Sequence, residues 1–277
     1  MKPFLKWAGG KRWFVSNHAN LLSQSYHRYI EPFVGSGAVF FHLLPSNAIL
    51  CDSNTELIDT YRAIKDEPTK VMSILKHHQS HHSVEYYYKI RSSKPHLPAT
   101  KAARFIYLNR TCFNGLYRVN RLGQFNVPKG TKNAVVFPDD DFLAIQAALY
   151  PVKMYARDFI DTLRSVEEND FLFVDPPYTV QHNNNNFIKY NEKLFTWEDQ
   201  KNLALELTKA CKRGARVLMT NANHSCVAGL YNGHIWIKRS LTRHSTLASD
   251  INNRVQTSEL VISNYLDEHG RQGKARY

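Results

Sequence analysis

Four consecutive residues, Asp175-Pro176-Pro177-Tyr178, carry the most specific chemistry in the chain. Two prolines in a row fix φ and remove two N–H donors, so the segment presents carbonyl oxygens and a carboxylate instead. Such a loop suits a ligand that brings its own N–H donors, notably an exocyclic amine. Tyr178 adds a flat face on which a base can stack. A rigid turn at a strand end would use the prolines but leave the aspartate and the tyrosine unexplained.

A second constellation is Phe33-Val34-Gly35-Ser36-Gly37, with Asp52 standing 15 positions beyond Gly37. Glycines between a strand and a helix let the backbone approach a ligand closely, beside a helix N-terminus. A carboxylate at the end of the next strand is placed to hold ribose hydroxyls. The pair indicates an adenosine-containing cofactor. A plain tight turn stays open as the alternative, because the third glycine of the dinucleotide fingerprint is missing. Lys6-Trp7-Ala8-Gly9-Gly10-Lys11-Arg12 looks like a phosphate loop, yet Arg12 stands where Ser or Thr must hold magnesium. Its glycine pair, framed by Trp7 and Lys11, can instead wrap the charged end of a small cofactor.

The third is the run from Asn109 through Arg110, Phe113, Asn114, Gly115, Leu116, Arg118 and Asn120 to Arg121. Arginine pairs with guanine edges or phosphates, asparagine with adenine edges, and an exposed aromatic can wedge into a base stack. A solvated basic loop is the competing reading. Four histidines, His77, His78, His81 and His82, have i,i+4 spacing but no carboxylate companion, so a solvated helix face is expected in place of a metal site.

The elements that must position these groups follow from apolar runs. Tyr29 to Val34, Ala48 to Cys51, Phe171 to Val174, Arg216 to Thr220 and Glu259 to Ser263 read as buried strands. Ala38 to Leu44 and Glu198 to Lys212 read as helices, the latter stopped by Gly214. The order predicts a doubly wound α/β sheet. Residues 56–145 are aromatic, basic and His-rich without strand rhythm, and read as a helical insertion. The expected division is therefore 1–55 and 146–277 for the α/β domain, with 56–145 inserted. The asparagine run Asn183 to Asn186, next to the Asp-Pro-Pro-Tyr loop, reads as a flap or as an ordinary loop, and Gly270 to Tyr277 as a frayed tail.

Composition bounds the partners. The 277 residues hold 36 Lys+Arg against 24 Asp+Glu, a formal charge of +12, with 43% hydrophobic residues. Self-repulsion of that size is usually offset by a polyanion, with solubility alone as the other explanation. No window approaches the ~18 uninterrupted apolar residues of a membrane span. Lys6 interrupts any signal-peptide core. Cys51, Cys112, Cys211 and Cys226 show no CxxC and no metal spacing, which predicts a reducing, cytoplasmic setting and no structural zinc.

Taken in order, Lys-Trp-Ala-Gly-Gly-Lys, Phe-Val-Gly-Ser-Gly, Asp52, Asn-Gly-Leu-Tyr-Arg-Val-Asn, Phe125-Asn126-Val127-Pro128 and Asp-Pro-Pro-Tyr resemble the Dam-type (α-class, D12 family) DNA adenine-N6 methyltransferases. The resemblance covers most of the chain. It implies a Rossmann-like S-adenosylmethionine-dependent methyltransferase sheet with an inserted helical target-recognition domain. It also implies that Trp7, Lys11, Asp52 and Asp175 contact S-adenosylmethionine, with Phe33, Gly35 and Gly37 shaping the pocket. Lys6, Asn114, Leu116, Arg118 and Pro128 would read double-stranded DNA, commonly at GATC, with Phe113 as the wedge. Arg110 and Asn120 join these DNA candidates from the basic run. Asp175, Pro176 and Tyr178 would carry catalysis on a flipped adenine, without a metal.

Two departures from the family pattern stand out. Phe113 replaces a common tyrosine, and Thr131 stands where an arginine is frequent, which leaves Lys129 or Lys132 to supply a backbone contact. A monomer with no obligate protein partner is expected. Cytosine-N4 methylation, in which Ser often replaces the aspartate, is one rival reading, and RNA or protein-glutamine methylation another. A non-catalytic basic DNA-binding protein is a third, and it has no use for an intact Asp-Pro-Pro-Tyr.

Overall fold

Strands covered on both faces must be apolar nearly throughout, and the central strands follow that rule. In the computed structural model, which describes residues 1–120, 122–180, 195–244 and 256–266, β1 is Arg28–Glu31, β2 Ala48–Asp52, β3 Val152–Ala156 and β4 Asp170–Val174. β5 is Arg216–Ala222, β6 Ile237–His244 and β7 Gln256–Ser263. They form one seven-stranded sheet in the order β3-β2-β1-β4-β5-β7-β6. β4 runs parallel to β1 (Tyr29 opposite Phe171) and to β5 (Phe173 opposite Leu218), and β2 runs parallel to β3. Only β7 reverses, antiparallel to both β5 and β6. This mostly parallel α/β sheet is the Rossmann-like one expected from the sequence.

Two compact units share the chain: residues 1–17 with 34–157, and 18–33 with 158–277. In the first, α1 (Arg12–His18, which runs one residue past the boundary) and α2 (Phe40–Leu43) precede a set of longer helices. These are α3 (Thr55–Asp66), α4 (Pro68–Ser80), α5 (Val84–Ser92), α6 (Pro98–Thr111) and α7 (Phe142–Leu149). Their starts are written in the sequence. Asn54 and Ser83 accept hydrogen bonds from Leu57 and Tyr86 N–H groups as N-caps, and Pro68 and Pro98 open α4 and α6. α6 is the core helix, with Phe105, Ile106, Tyr107, Leu108, Asn109 and Arg110 all buried.

The second unit holds β1, β4 to β7, α8 (Phe159–Arg164), α9 (Trp197–Lys212) and α10 (Ser225–Leu230). A reciprocal Thr196–Asp199 capping box starts α9, and Gly214 ends it at φ +95°. A Cβ at Gly214 would also lie 2.7 Å from Glu168 Cγ.

The expected strands and the long helix α9 are present, with bounds shifted by a few residues: β1 ends at Glu31, and α2 is confined to Phe40–Leu43. β3 and β6 were not expected. The segment read as a helical insertion lies within the first unit, and its run of helices breaks off at Thr111 and resumes only with α7 at Phe142. From there to Asp141 the chain forms a 3-10 turn at Phe113–Gly115 and isolated bridges pairing Cys112 with Lys129 and Val119 with Phe125. Arg121, the Asn183–Asn186 run and the Gly270–Tyr277 tail lie outside the described residues.

Candidate active site

In the first unit the glycine loop is built around a carboxylate. Asp52 ends β2, and its Oδ2 accepts the Gly35 N–H at 3.1 Å while Oδ1 accepts the Asn54 N–H at 3.0 Å. Burial raises its pKa, opposed by N–H bonds from Asn54, Gly35 and Ser53. A carboxylate offers about four acceptor positions, so one held by three N–H groups retains capacity for a further hydroxyl donor. Gly35 and Gly37 sit at φ +47° and +65°, and the Tyr61 hydroxyl donates to the Gly35 carbonyl at 3.1 Å.

The need for glycine is more specific than ligand approach alone. A Cβ at Gly35 would lie 2.7 Å from the Trp7 ring, and one at Gly37 would lie 2.9 Å from the Tyr61 hydroxyl. Trp7 is itself stacked on Tyr117 (5.8 Å between centroids) and Phe105 (6.3 Å). The turn that carries it is closed by the Gly10 N–H to the Trp7 carbonyl. Lys11 is buried and donates to the Gly9 carbonyl at 2.8 Å. Trp7, Lys11, Gly35, Gly37 and Asp52 therefore belong to one continuous framework, and the donor and acceptor chemistry fits an adenosine-bearing ligand.

In the second unit, Asp175 follows β4, and its Oδ1 accepts the Thr220 hydroxyl at 2.7 Å. Pro176 is buried. Tyr178 donates its hydroxyl to Glu259 Oε2 at 2.8 Å, and burial, Asp175 and Glu259 together raise its pKa far above the ordinary value. The tyrosine therefore stays protonated. Phe33 lies in this unit, stacked on Phe159 at 5.5 Å with Phe195 edge-on at 5.6 Å. Thr220 and Glu259 were invisible as site residues in the sequence, because they stand 45 and 81 positions from their partners.

The basic run divides by burial. Asn109, which opens the basic run, faces inward and clamps the N-terminal segment. Its Oδ1 accepts the Lys6 N–H at 2.9 Å, and its Nδ2 donates to the Lys6 carbonyl at 2.7 Å and to Gly115 O at 3.3 Å. The Lys6 side chain then lies over Gly115, where a Cβ would meet its Cδ at 2.6 Å. Phe113 is 52% exposed, and its N–H is held by the Pro128 carbonyl at 2.9 Å. Asn114 adopts φ +55°, and Leu116 is half-buried. Arg118 is exposed and donates to Asn126 Oδ1. The loop after Pro128 is pinned by the Gly130 N–H to Thr111 O, and a Cβ at Gly130 would lie 2.5 Å from the Cys112 carbonyl.

Two DNA candidates are employed otherwise. Arg110 is buried. Its guanidinium donates to the Phe4 and Val135 carbonyls and forms a two-pronged ion pair with Asp140. A buried, fully engaged guanidinium reads no base, so Arg110 is a framework residue. Asn120 spends its side chain on its own turn, accepting from the Leu122 and Gln124 N–H groups and donating to Gln124 Oε1. Two of the four histidines also depart from the expected solvated face, while His77 and His81 are exposed. His78 is buried, with Nδ1 bonded to the Tyr86 hydroxyl, and His82 Nδ1 bonds Tyr107. Among the described residues no group of three or more His, Cys, Asp or Glu side chains is placed to hold a metal ion. No helix among them is long and apolar enough to cross a membrane.

Comparison with known proteins adds an independent line. The family described as D12 class N6 adenine-specific DNA methyltransferase matches residues 7–245. The type II methyltransferase M1.LlaDCHI of Lactococcus lactis subsp. cremoris is 34% identical over 274 residues, covering 96% of each chain. The type II methyltransferase M.MjaIII of Methanocaldococcus jannaschii is 34% identical over 288 aligned positions, covering 96% of this chain and 99% of its own. A DNA adenine methylase of Escherichia coli K12 is 32% identical over 225 residues, 79% of this chain and 80% of that protein.

Proposed function

This chain belongs to the D12 class of N6 adenine-specific DNA methyltransferases, and from that premise we propose that it methylates adenine within GATC, taking the methyl group from S-adenosylmethionine and the target base from the duplex by flipping. The observation that carries the reading is the anchored Asp175-Pro176-Pro177-Tyr178 loop, with its carboxylate fixed by Thr220 and its tyrosine ring fixed by Glu259.

The adenine amine is a poor nucleophile because its lone pair is delocalised into the ring. Asp175 and the Pro176 carbonyl accept its two hydrogens, which favours a pyramidal nitrogen with a localised lone pair, the form required in the transition state. Tyr178 stacks the extruded base and holds the nitrogen in line for attack. Bound S-adenosylmethionine supplies an electrophilic methyl group. Asp52, with both oxygens oriented by backbone N–H groups, receives the ribose hydroxyls. Trp7, Lys11, Gly35 and Gly37 shape that pocket.

Recognition falls to Lys6, Asn114, Leu116, Arg118 and Pro128, with Phe113 as the wedge that takes the place of the extruded base. Arg110 and Asn120 are left out, for the reasons of burial and internal bonding given above. Lys6 and Lys132 supply charge for the phosphates. Burial and the neighbouring charges of Lys132 and Arg12 lower the pKa of Lys6, a crowding of cations that a phosphate relieves.

A methyl-transfer assay on unmodified plasmid, read by methylation-sensitive cleavage at GATC, tests the reading. Transfer at GATC is expected, and Asp175→Ala should abolish it while DNA binding persists. Retained turnover in that variant would sink the assignment of Asp175, and transfer at other sequences would sink GATC.

A further inference from the structure

Three members of the Asp175–Tyr178 loop are tied to residues far away in sequence within the same unit. Thr220 on β5 donates to Asp175. Its neighbour Asn221, fully buried, donates to Gln200 Oε1 at 3.1 Å, and Gln200 Nε2 reaches the Pro177 carbonyl at 3.4 Å. Tyr178 is held from β7 by Glu259. Register explains the convergence, since β5 and β7 pair Thr220 with Val261 and Ala222 with Glu259.

Glu259 is the costly member of this set. It is only 3% exposed, and burying a carboxylate takes more from the fold than a neutral acceptor would. What a carboxylate gives in return is a strong bond that only accepts, so the phenol must donate to it and the ring is fixed in one orientation. Asp175 and Glu259 both act on the same hydroxyl electrostatically, which keeps its proton in place.

We propose that Glu259 is a positioning residue for methyl transfer. Acting through the Tyr178 hydroxyl and without touching the base, it sets the angle of the ring on which the target adenine stacks. The inference rests on the reading of Asp175–Tyr178 as the adenine site and adds a residue outside every motif of the sequence.

The test compares Glu259→Leu, Glu259→Gln, Tyr178→Phe and the double variant Tyr178→Phe/Glu259→Leu in the methyl-transfer assay. Losing a charge-assisted hydrogen bond should lower kcat about ten- to hundredfold in Glu259→Leu and in Tyr178→Phe. KM for duplex DNA should stay within about twofold, because the lost interaction acts on the stacked base and not on the duplex. Glu259→Gln keeps an oxygen acceptor and should recover most of kcat. The double variant should be no slower than the slower single one, since both changes remove the same bond. Tyr178→Phe keeps the ring and the fold, so it decides the matter even if Glu259→Leu does not fold. Wild-type kcat in Tyr178→Phe, or losses that multiply in the double variant, would overturn the role of Glu259. Wild-type transfer to adenine measured alongside keeps that outcome separate from failure of the underlying reading.

Discussion

Arg110 and Arg118 come from one basic run, and side-chain type alone gives both the same meaning. Burial separates them. Arg110 is enclosed with Asp140 and two carbonyls, whereas Arg118 is exposed and donates to Asn126. Removing one partner of a buried pair strands the other charge, so Arg110→Ala should cost about 3–5 kcal/mol of stability. Urea unfolding measures it, and a change below ~1 kcal/mol would put the guanidinium back among the surface contacts. Arg118→Ala should leave stability nearly unchanged and lose ~1–3 kcal/mol of discrimination at one base pair. Competition binding with single-pair variants of GATC reads this, and a uniform loss over all sequences would mark a phosphate contact instead. At this scale the residues of the Asp-Pro-Pro-Tyr loop were legible because prolines, carboxylate and aromatic adjoin in sequence. Glu259 and Thr220, and the inward clamp made by Asn109, were not, since each acts on a partner brought to it only by folding.

The strands show the same boundary between legible and hidden at the scale of elements. β2 and β4 are nearly continuous apolar runs, buried nearly throughout. β1, β5 and β7 each carry a buried apolar stretch (Tyr29-Ile30, Val217-Leu218-Met219, Leu260-Val261-Ile262), so the sequence announces all of these strands. β3 alternates buried Val152 and Met154 with exposed Lys153 and Tyr155, and β6 reads Ile-Lys-Arg-Ser-Leu-Thr-Arg-His, so neither matched the pattern sought. Histidines at i,i+4 spacing around the C-terminal end of α4 likewise could not reveal whether their face meets water or another helix. In the fold His78 packs against Tyr107 of α6, ring centroids 4.9 Å apart, with Tyr86, His77 and His81 around it. Burial first, then the charges of His77 and His81, lower its pKa to about 4. The unfolded chain takes up this proton near pH 6.5 and the folded one only near pH 4, so stability is complete above pH 6.5 and falls as pH drops toward 4. The loss is at most about 3 kcal/mol, less with solvent screening. Thermal melts from pH 7 to pH 4 should show the decline, and His78→Phe should flatten it. An equal slope in that variant would assign the decline to other groups.

Over the whole molecule the surplus of +12 has to be divided between charges the fold consumes and charges left for a partner. Arg110 is spent on Asp140, and Arg104 on the carbonyls of Ile90 and Arg91, although both stand in the basic segment 56–145. Arg28 and Arg62 are likewise paired with Asp170 and Asp59. Among the described residues, exposed cations of the first unit left without such partners include Lys6, whose pKa is lowered by burial and by Lys132, together with Lys132 itself. Arg118 instead holds Asn126, and Arg12 donates to the Pro3 and Leu5 carbonyls. Each phosphate neutralised releases condensed counterions, so log K should fall by roughly 0.9 per contact for each tenfold rise in salt. A count of arginines in the run overstates that slope, and a count of exposed, unburied cations gives the smaller figure. Lys132→Ala should therefore reduce the slope by about one while weakening binding to all sequences alike. Arg104→Gln should leave the slope unchanged, because its charge already faces carbonyls within the fold. Equilibrium binding to a GATC duplex across a salt series measures both. If the Arg104 variant alters the slope and the Lys132 variant does not, the division between structural and DNA-facing charge is reversed. A flat response in the wild type would mean that the surplus serves solubility and that contacts at the base edges alone hold the duplex.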